Sequence, residues 1–382
     1  MNPLRRLKGK KIFLALVDDE SFGLQWHYFH YIEELKHYGV EFEIFNIKNM
    51  PSEDFESPMV QILKERAKEF SFFFTGLNDG QLSVQTIKFI KSLGIPTVLI
   101  CFDNLSIPYA HRKLAPHFDL VWLTSYETEP LFRRWGSHTV VLPYAANPYR
   151  FLRSSDEEIP CVGFIGKLYG ARRDKIKILS DHSIPTRIYA DQSNNGEEGW
   201  SQPKILFLDK ISSGWNLLSK KKSLMLFDEG RVLIRGDIKK AFTRGIHERT
   251  KLKECVQFLP SPSFEDMIKL YTSFSLSIGI TEVWNTYLLN TPLYKLHLRT
   301  FEIPMCGGLQ ITHRTKELEG YFTDNKEIIM YDSEEEMIDK MKYYLHDSHR
   351  AQRQQLKQAA RMRAEKDHCW KNRFEIVEEH LF

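Results

Sequence analysis

Cysteine is scarce and scattered. The chain of 382 residues has five, at positions 101, 161, 255, 306 and 369, with no C-x-x-C among them. An odd count without paired spacing excludes a disulfide framework and a zinc module, and the expectation is reduced thiols in a cytosolic protein. Long apolar runs are missing too: nothing approaches the roughly 18 residues of a membrane span. The N-terminus, MNPLRRLKGKKIFLALVDDE, is basic and then apolar like a secretory leader, but its apolar run covers only Ile12 to Val17 and no small-residue cleavage site follows, so it predicts a first β-strand. No G-x-x-x-x-G-K-[ST] loop is present, which excludes the kinase and ATPase chemistry such a loop supports. No Asp-x-Asp follows a strand, and no His/Cys pair has metal-ligand spacing. A large surplus of either charge is also lacking: 53 Lys and Arg against 50 Asp and Glu leave +3, which argues against a dedicated nucleic-acid binder. With 42% hydrophobic and 27% charged residues, disordered, collagen-like and coiled-coil classes are excluded. At roughly 100–200 residues per domain, the length predicts two or three domains.

What the chain does have is alternation. Short β-branched or aromatic runs (11–17, 42–47, 71–75, 96–102, 120–124 and 139–142) are separated by amphipathic stretches (24–38, 59–69, 84–93 and 127–135), several of them ended by glycine. Uninterrupted apolar strands between helices imply a parallel sheet covered on both faces. Such sheets bind ligands beyond the carboxyl ends of their strands, which singles out Asp18, Asp19, Gly23, Gly76, Asp103, Asn104 and Ser125. The stretch from Leu142 to Pro148 has two prolines and no helical period, and is expected to be a linker. The pattern then restarts with a strand over 160–165, a helix over 173–180 and a strand over 186–190. It breaks from Asp191 to about Lys253, where no clear period is visible, and returns with strands at 256–259, 275–280, 309–312 and 327–331 and helices at 263–274, 334–345 and 350–365. From Trp200 to Lys253 there are 13 Lys and Arg against 5 Asp and Glu, a local +8 that leaves the rest of the chain at −5. This basic insertion has three readings: a solvated excursion, a contact with an anionic membrane face, or a dock for an anionic acceptor.

Four pieces in this order carry a resemblance: the linker 142–151; VGFIG at 162–166 with Arg172 and Arg173; LRTFEIPMCGG at 298–308; and the later Glu317, Glu327 and Tyr343-Tyr344-Leu345. Together they resemble the GT-B glycosyltransferases of the group-1 class that includes the CgeB-like spore-maturation proteins, over most of the chain and most strongly in its second half. The resemblance implies an α/β protein of two Rossmann-like domains facing a cleft. Residues 1–146 would form the acceptor side. Residues 147–366 would bind the nucleotide sugar and carry the insertion at about 191–253, and 367–382 would be a helix crossing back to the first domain. It further implies transfer of a sugar from a nucleotide donor to a hydroxyl acceptor in cell-surface glycan assembly, with retained anomeric configuration. The partners would be the nucleotide sugar and a glycan or lipid-linked acceptor, without nucleic acid and without a cofactor.

The residues suit that chemistry. Charge grows on a pyrophosphate leaving group and needs cations or N–H donors. Lys167, Arg172 and Arg173 follow a strand and a glycine, where such a ligand would sit, although a helix start with solvated charges explains them as well. Arg299 stands three residues before Glu302, a spacing that shares one helical face, and residues 298–300, Thr300 among them, would offer backbone N–H groups. With no metal motif, these cations and dipoles would take the pyrophosphate charge without a metal ion. In the resembling family the glutamate at the position of Glu302 binds ribose hydroxyls, as a carboxylate suits a diol. Eight positions earlier related retaining enzymes have another glutamate, and here Tyr294 stands there; a catalytically inactive binding protein on the same fold is the competing class. Gly307 and Gly308 are expected to end a helix. Asp103 ends a strand where those enzymes often have a histidine at or beside it. It would orient the sugar or accept the acceptor's proton, or be a turn residue beside Asn104. Asp19 and Gly23 lie in the first strand-to-helix connection, and His27 and His30 on the next helix are read as packing residues.

Overall fold

The computed structural model describes residues 4–17, 22–49, 55–154, 157–190, 224–242 and 252–382. The chain divides into two compact units. The first comprises Met1–Arg150, Ser219–Gly230 and Cys369–Phe382, and the second Phe151–Leu218 and Arg231–His368.

The first unit is built on a parallel sheet of β1 (Lys11–Leu16), β2 (Glu41–Asn46), β3 (Phe70–Thr75), β4 (Thr97–Cys101), β5 (Leu120–Leu123) and β6 (Thr139–Val141), in spatial order β2-β1-β3-β4-β5-β6. Strand alternation sorts its side chains into two cores. Ile12, Leu14, Phe72, Phe74, Ile100 and Trp122 face one side, and Phe13, Phe73, Leu99 and Val121 the other. The three consecutive phenylalanines thus serve both faces, which is why β3 reads as a continuous apolar run. Helices cover both faces: α1 (Phe22–His27), which runs through a π turn at Tyr28–Ile32 into α2 (Glu33–Lys36), then α3 (Glu56–Glu65), α4 (Val84–Ser92) and α5 (Glu129–Arg134).

The second unit has β7 (Ile159–Ile165), β8 (Thr186–Tyr189), β9 (Val256–Leu259), β10 (Phe274–Gly279), β11 (Gln310–His313) and β12 (Ile329–Tyr331), all parallel, in order β9-β8-β7-β10-β11-β12. Counted along the chain this is the doubly wound order 3-2-1-4-5-6, whose switch point lies between β7 and β10. These two central strands approach closely. A Cβ added at Gly163 would come within 2.0 Å of the Phe274 ring, so only glycine fits there. The helices are α6 (Ala171–Asp181), α7 (Asp228–Phe242), α8 (Phe264–Ser273), α9 (Arg299–Met305), α10 (Lys316–Glu319), α11 (Glu334–Leu345) and α12 (Arg350–Asp367), followed by α13 (Trp370–Leu381). Ser263 caps α8, its hydroxyl accepting from the Asp266 N–H at 3.1 Å. Among the described residues no helix is long and apolar enough to cross a membrane.

The last helix, α13, belongs to the first unit. Trp370, Phe374 and Val377 enter the core built on Phe74 and Trp122. The helix is held at its start: the Glu34 carboxylate accepts from the N–H groups of Trp370 (3.1 Å) and Lys371 (2.6 Å), and the Trp370 indole donates to His30 Nδ1 at 3.0 Å. His30 is therefore the packing residue expected.

Two expectations are corrected. Residues 191–253 were expected to lack a period, yet α7 runs for 15 residues inside them. Its buried positions, such as Leu233 and Gly236, are few and small, so the apolar stripe is too thin to stand out. Gly23 lies in the first turn of α1, not in a connection before it.

Buried His111 gives the first unit a pH dependence. It is 4% exposed, and burial pulls its pKa from 6.5 to about 4. Because the folded value is the lower one, its contribution is present above pH 6.5 and lost as pH falls through 4, an effect of roughly 3 kcal/mol. Urea unfolding between pH 7 and pH 4 is expected to show this loss, and His111→Phe to flatten it; equal slopes in the two proteins would refute the assignment.

Candidate functional site

The carboxyl end of β7 is where the second unit gathers its cations. Strand β7 ends at Ile165, Gly166 turns with φ +141°, and the chain enters α6 through Gly170. Arg172, in the first turn of α6, is buried, with its guanidinium 5.7 Å from the Phe164 ring centroid and 4.3 Å from that of Tyr169. Its Nη1 donates to the Lys167 carbonyl at 2.9 Å. Arg299 arrives from the other side of the switch point, on α9, and its guanidinium lies 5.8 Å from the same Phe164 ring. A Cβ added at Gly166 would meet Arg299 Nη2 at 2.3 Å, so the glycine is what admits the side chain.

Two guanidiniums therefore lie against one aromatic ring. Among the described residues neither is within salt-bridge distance of a carboxylate. Burial, and then repulsion by Arg299, lower the pKa of Arg172 to about 10. A pair of like charges held this way, with no carboxylate in salt-bridge distance among the described residues, is chemically suited to an anion.

Glu302 follows Arg299 by one helical turn and is 4% exposed. Both face Tyr271, whose hydroxyl burial pushes well above its usual range, with Arg299 opposing and Glu302 reinforcing the shift. Tyr271 and Phe164 were not singled out from the sequence, where an aromatic in an apolar run looks like core. Thr300 turns inward: it is 1% exposed and its hydroxyl accepts from the His297 N–H at 3.3 Å. Gly307 ends α9 with φ +72°, and Gly308 donates to the Ile303 carbonyl at 2.9 Å, the helix end expected of this pair.

The other basic residues diverge. The Lys167 side chain is exposed, and Arg173 turns to donate its Nε to the Leu168 carbonyl at 3.1 Å. Lys175, one turn after Arg172, is buried between Glu282 (3.4 Å) and Glu334 (3.0 Å). Tyr294 pairs with Glu282 in an isolated antiparallel bridge and stacks on His313 at 3.9 Å.

In the first unit Asp103 follows β4 with φ +53°, exposed, its carbonyl accepting from Ser106 (2.9 Å) and Ile107 (3.2 Å). It is a turn residue in geometry. Its side chain stands near Tyr144, whose hydroxyl burial, and then the Asp103 charge, hold far above the usual range. Tyr144 stacks on Phe102 at 6.0 Å, and Trp26 meets Phe102 edge-on at 5.4 Å. The turn is held by buried Asn104, whose side-chain oxygen accepts from the N–H groups of Thr124 (2.9 Å) and Ser125 (3.1 Å) and whose amide donates to the Ser125 carbonyl (2.8 Å). His27 pairs with the Tyr31 hydroxyl at 2.7 Å, and burial lowers its pKa to about 4. Asp18 and Asp19 lie outside the described residues. Among the described residues no three His, Cys, Asp or Glu side chains are grouped to hold a metal ion.

Residues 227–379 match the Glycosyl transferase-like family. No curated protein matches the chain. Among solved structures, Anabaena HepE in complex with UDP and glucose is 13% identical, with a TM-score of 0.54 over 97% of this chain and 99% of that one. Sucrose-phosphate synthase from Thermosynechococcus elongatus is 15% identical, with a TM-score of 0.55 over 98% and 99%. A glycosyltransferase from Rickettsia africae is 12% identical, with a TM-score of 0.56 over 97% and 98%. The fold is the GT-B fold of glycosyltransferases, two Rossmann-like parallel sheets with helices.

Proposed function

We propose that the chain is a glycosyltransferase that binds a nucleoside-diphosphate sugar on its second unit and transfers the sugar to a hydroxyl acceptor. The observation that carries this reading is the pair Arg172 and Arg299, two buried or half-buried guanidiniums over Phe164 at a switch point, without a carboxylate partner among the described residues. A diphosphate supplies the missing charge, and the pair then stabilises the charge that grows on it as the glycosidic bond breaks. Lys167 and Arg173 add to the positive field, and Glu302 accepts from the ribose hydroxyls. Thr300 keeps the start of α9 in place. The first unit is the acceptor side. There Asp103, with Asp19 and Gly23 from the first strand-to-helix segment, receives the acceptor, and an aspartate takes its proton. In this reading transfer is metal-independent and retaining. It serves glycan or glycoconjugate assembly from the cytoplasm, with the +8 stretch at 200–253 drawing the protein to an anionic membrane face that carries a lipid-linked acceptor.

The test is a panel of nucleoside-diphosphate sugars, read by hydrolysis, by transfer and by calorimetric binding. At least one donor is expected to bind and turn over, and Glu302→Gln to weaken its binding about tenfold by removing a charged acceptor. Binding without turnover would favour the inactive, ligand-holding alternative, which Tyr294 in place of an acid suggests. No binding at all, or an unchanged Glu302→Gln, would overturn the donor reading.

A further inference from the structure

Trp284 is placed against the ordinary rules of folding. It is 58% exposed, so its indole gains little from burial. Its backbone has φ +52°, a conformation that costs a bulky L residue free energy. Its surroundings hold it there. Val283 N–H donates to the Leu293 carbonyl at 2.8 Å, and the Thr286 hydroxyl donates to the Val283 carbonyl at 2.7 Å. The Asn285 side chain donates to Asp237 at 2.9 Å, and Gly236 of α7 lies directly beneath Asn285. Gly170 closes on the Trp284 carbonyl so tightly that a Cβ there would sit 3.0 Å away. A strained, exposed tryptophan fixed by several independent contacts is retained for something other than stability.

Its neighbourhood indicates what. The Gly170 turn that packs on Trp284 leads directly to Arg172, and Tyr169, 53% exposed, lies under the Arg172 guanidinium. The turn that leads to the Arg172 guanidinium thus carries two outward aromatic side chains, one of them on a fixed backbone. Resting on the donor reading above, we propose that Trp284, seconded by Tyr169, is a stacking platform for the ring group attached to the bound diphosphate. That group is either the base on one side or the sugar on the other, since both present a flat apolar face to an indole.

The experiment uses the full chain and calorimetry with UDP, GDP, ADP, CDP and dTDP, then the glucose conjugate of whichever nucleotide binds, with inorganic pyrophosphate as a ring-free control. Trp284→Ala is expected to weaken a ring-bearing ligand roughly five- to tenfold, to leave pyrophosphate unchanged, and Trp284→Phe to restore most of the loss. A loss for both nucleotide and conjugate places the base on the indole; a loss for the conjugate alone places the sugar there. Trp284→Asn, which suits the left-handed backbone, is expected to raise the melting temperature while lowering affinity, a combination that a structural role would not produce. Wild-type binding with an unaltered Trp284→Ala overturns the platform alone. A panel in which the wild-type chain binds nothing overturns the donor reading and the platform together.

Discussion

Arg299→Ala is expected to weaken binding of the nucleotide donor about ten- to a hundredfold and to leave the unliganded protein as stable as before or slightly more stable. The first half follows from a guanidinium contributing charge-assisted hydrogen bonds to phosphate, each worth about 1.5–3 kcal/mol. The second follows from repulsion: Arg299 and Arg172 lie over one ring, and Arg299 is the second cause, after burial, of the lowered Arg172 pKa. Taking one cation away relieves the other. Arg299→Lys keeps the charge but loses the planar fork, and an intermediate affinity is expected. Arg172→Ala is expected to weaken binding similarly, and the double variant by less than the product of the two, because both groups serve one ligand. Calorimetry for affinity and thermal unfolding for stability check both halves. If Arg299→Ala destabilises the unliganded chain and spares affinity, the pair is structural and the anion site is refuted.

The largest stability effect is expected at Glu158. Its carboxylate is 5% exposed and receives a bidentate pair from Arg353, at 2.7 and 3.0 Å, while Lys357 Nζ stands 3.9 Å away. Both cations are 2% exposed. Arg353 also donates to the Tyr344 and His346 carbonyls, and Lys357 to those of Thr272 and Phe274. This network ties α12 to the starts of the two central strands, β7 and β10. Glu158→Ala leaves two buried cations without a carboxylate and is expected to cost about 3–5 kcal/mol. The cost depends on pH. Burial lowers the Lys357 pKa to about 8, and Glu158 is the first group that opposes the shift. With the folded value below the ordinary 10.5, stability from this group is greatest above that pH and is lost as pH falls through 8. Removing Glu158 deepens the loss, so the variant is expected to be worse at pH 7 than at pH 10. Scanning calorimetry at the two pH values reads this directly. A loss below 1 kcal/mol at both, where buried pairs show several, would mean that the network is solvated.

The alternation of apolar runs and amphipathic stretches made the two parallel sheets legible, because a strand buried on both faces has no room for polar residues. The capped helix after Ser263 and the helix end at Gly307 were equally readable, since each depends on neighbours in the chain. Helix α7 was not, because its apolar side is thin and its charges dominate the composition. At the site, the position rule for strand ends selected Arg172, and the spacing of α9 selected Arg299 with Glu302. The rule could not separate Arg172 from Arg173. One residue of helix rotation sends the first over Phe164 and turns the second to the Leu168 carbonyl.

The elements and their parallel pairing were legible in the chain alone. Both follow from local periodicity and from the need to bury apolar faces. Which cations meet is set by packing between distant segments. Arg172 and Arg299 are far apart in the chain, and they converge because β7 and β10 are neighbours and Gly166 leaves space for a guanidinium. The tertiary structure also decided that Tyr271 belongs beside Arg299 and Glu302, that Lys175 is neutralised by Glu282 and Glu334, and that Trp284 is held outward. Such contacts depend on register and packing between distant segments, and no window of sequence carries that information.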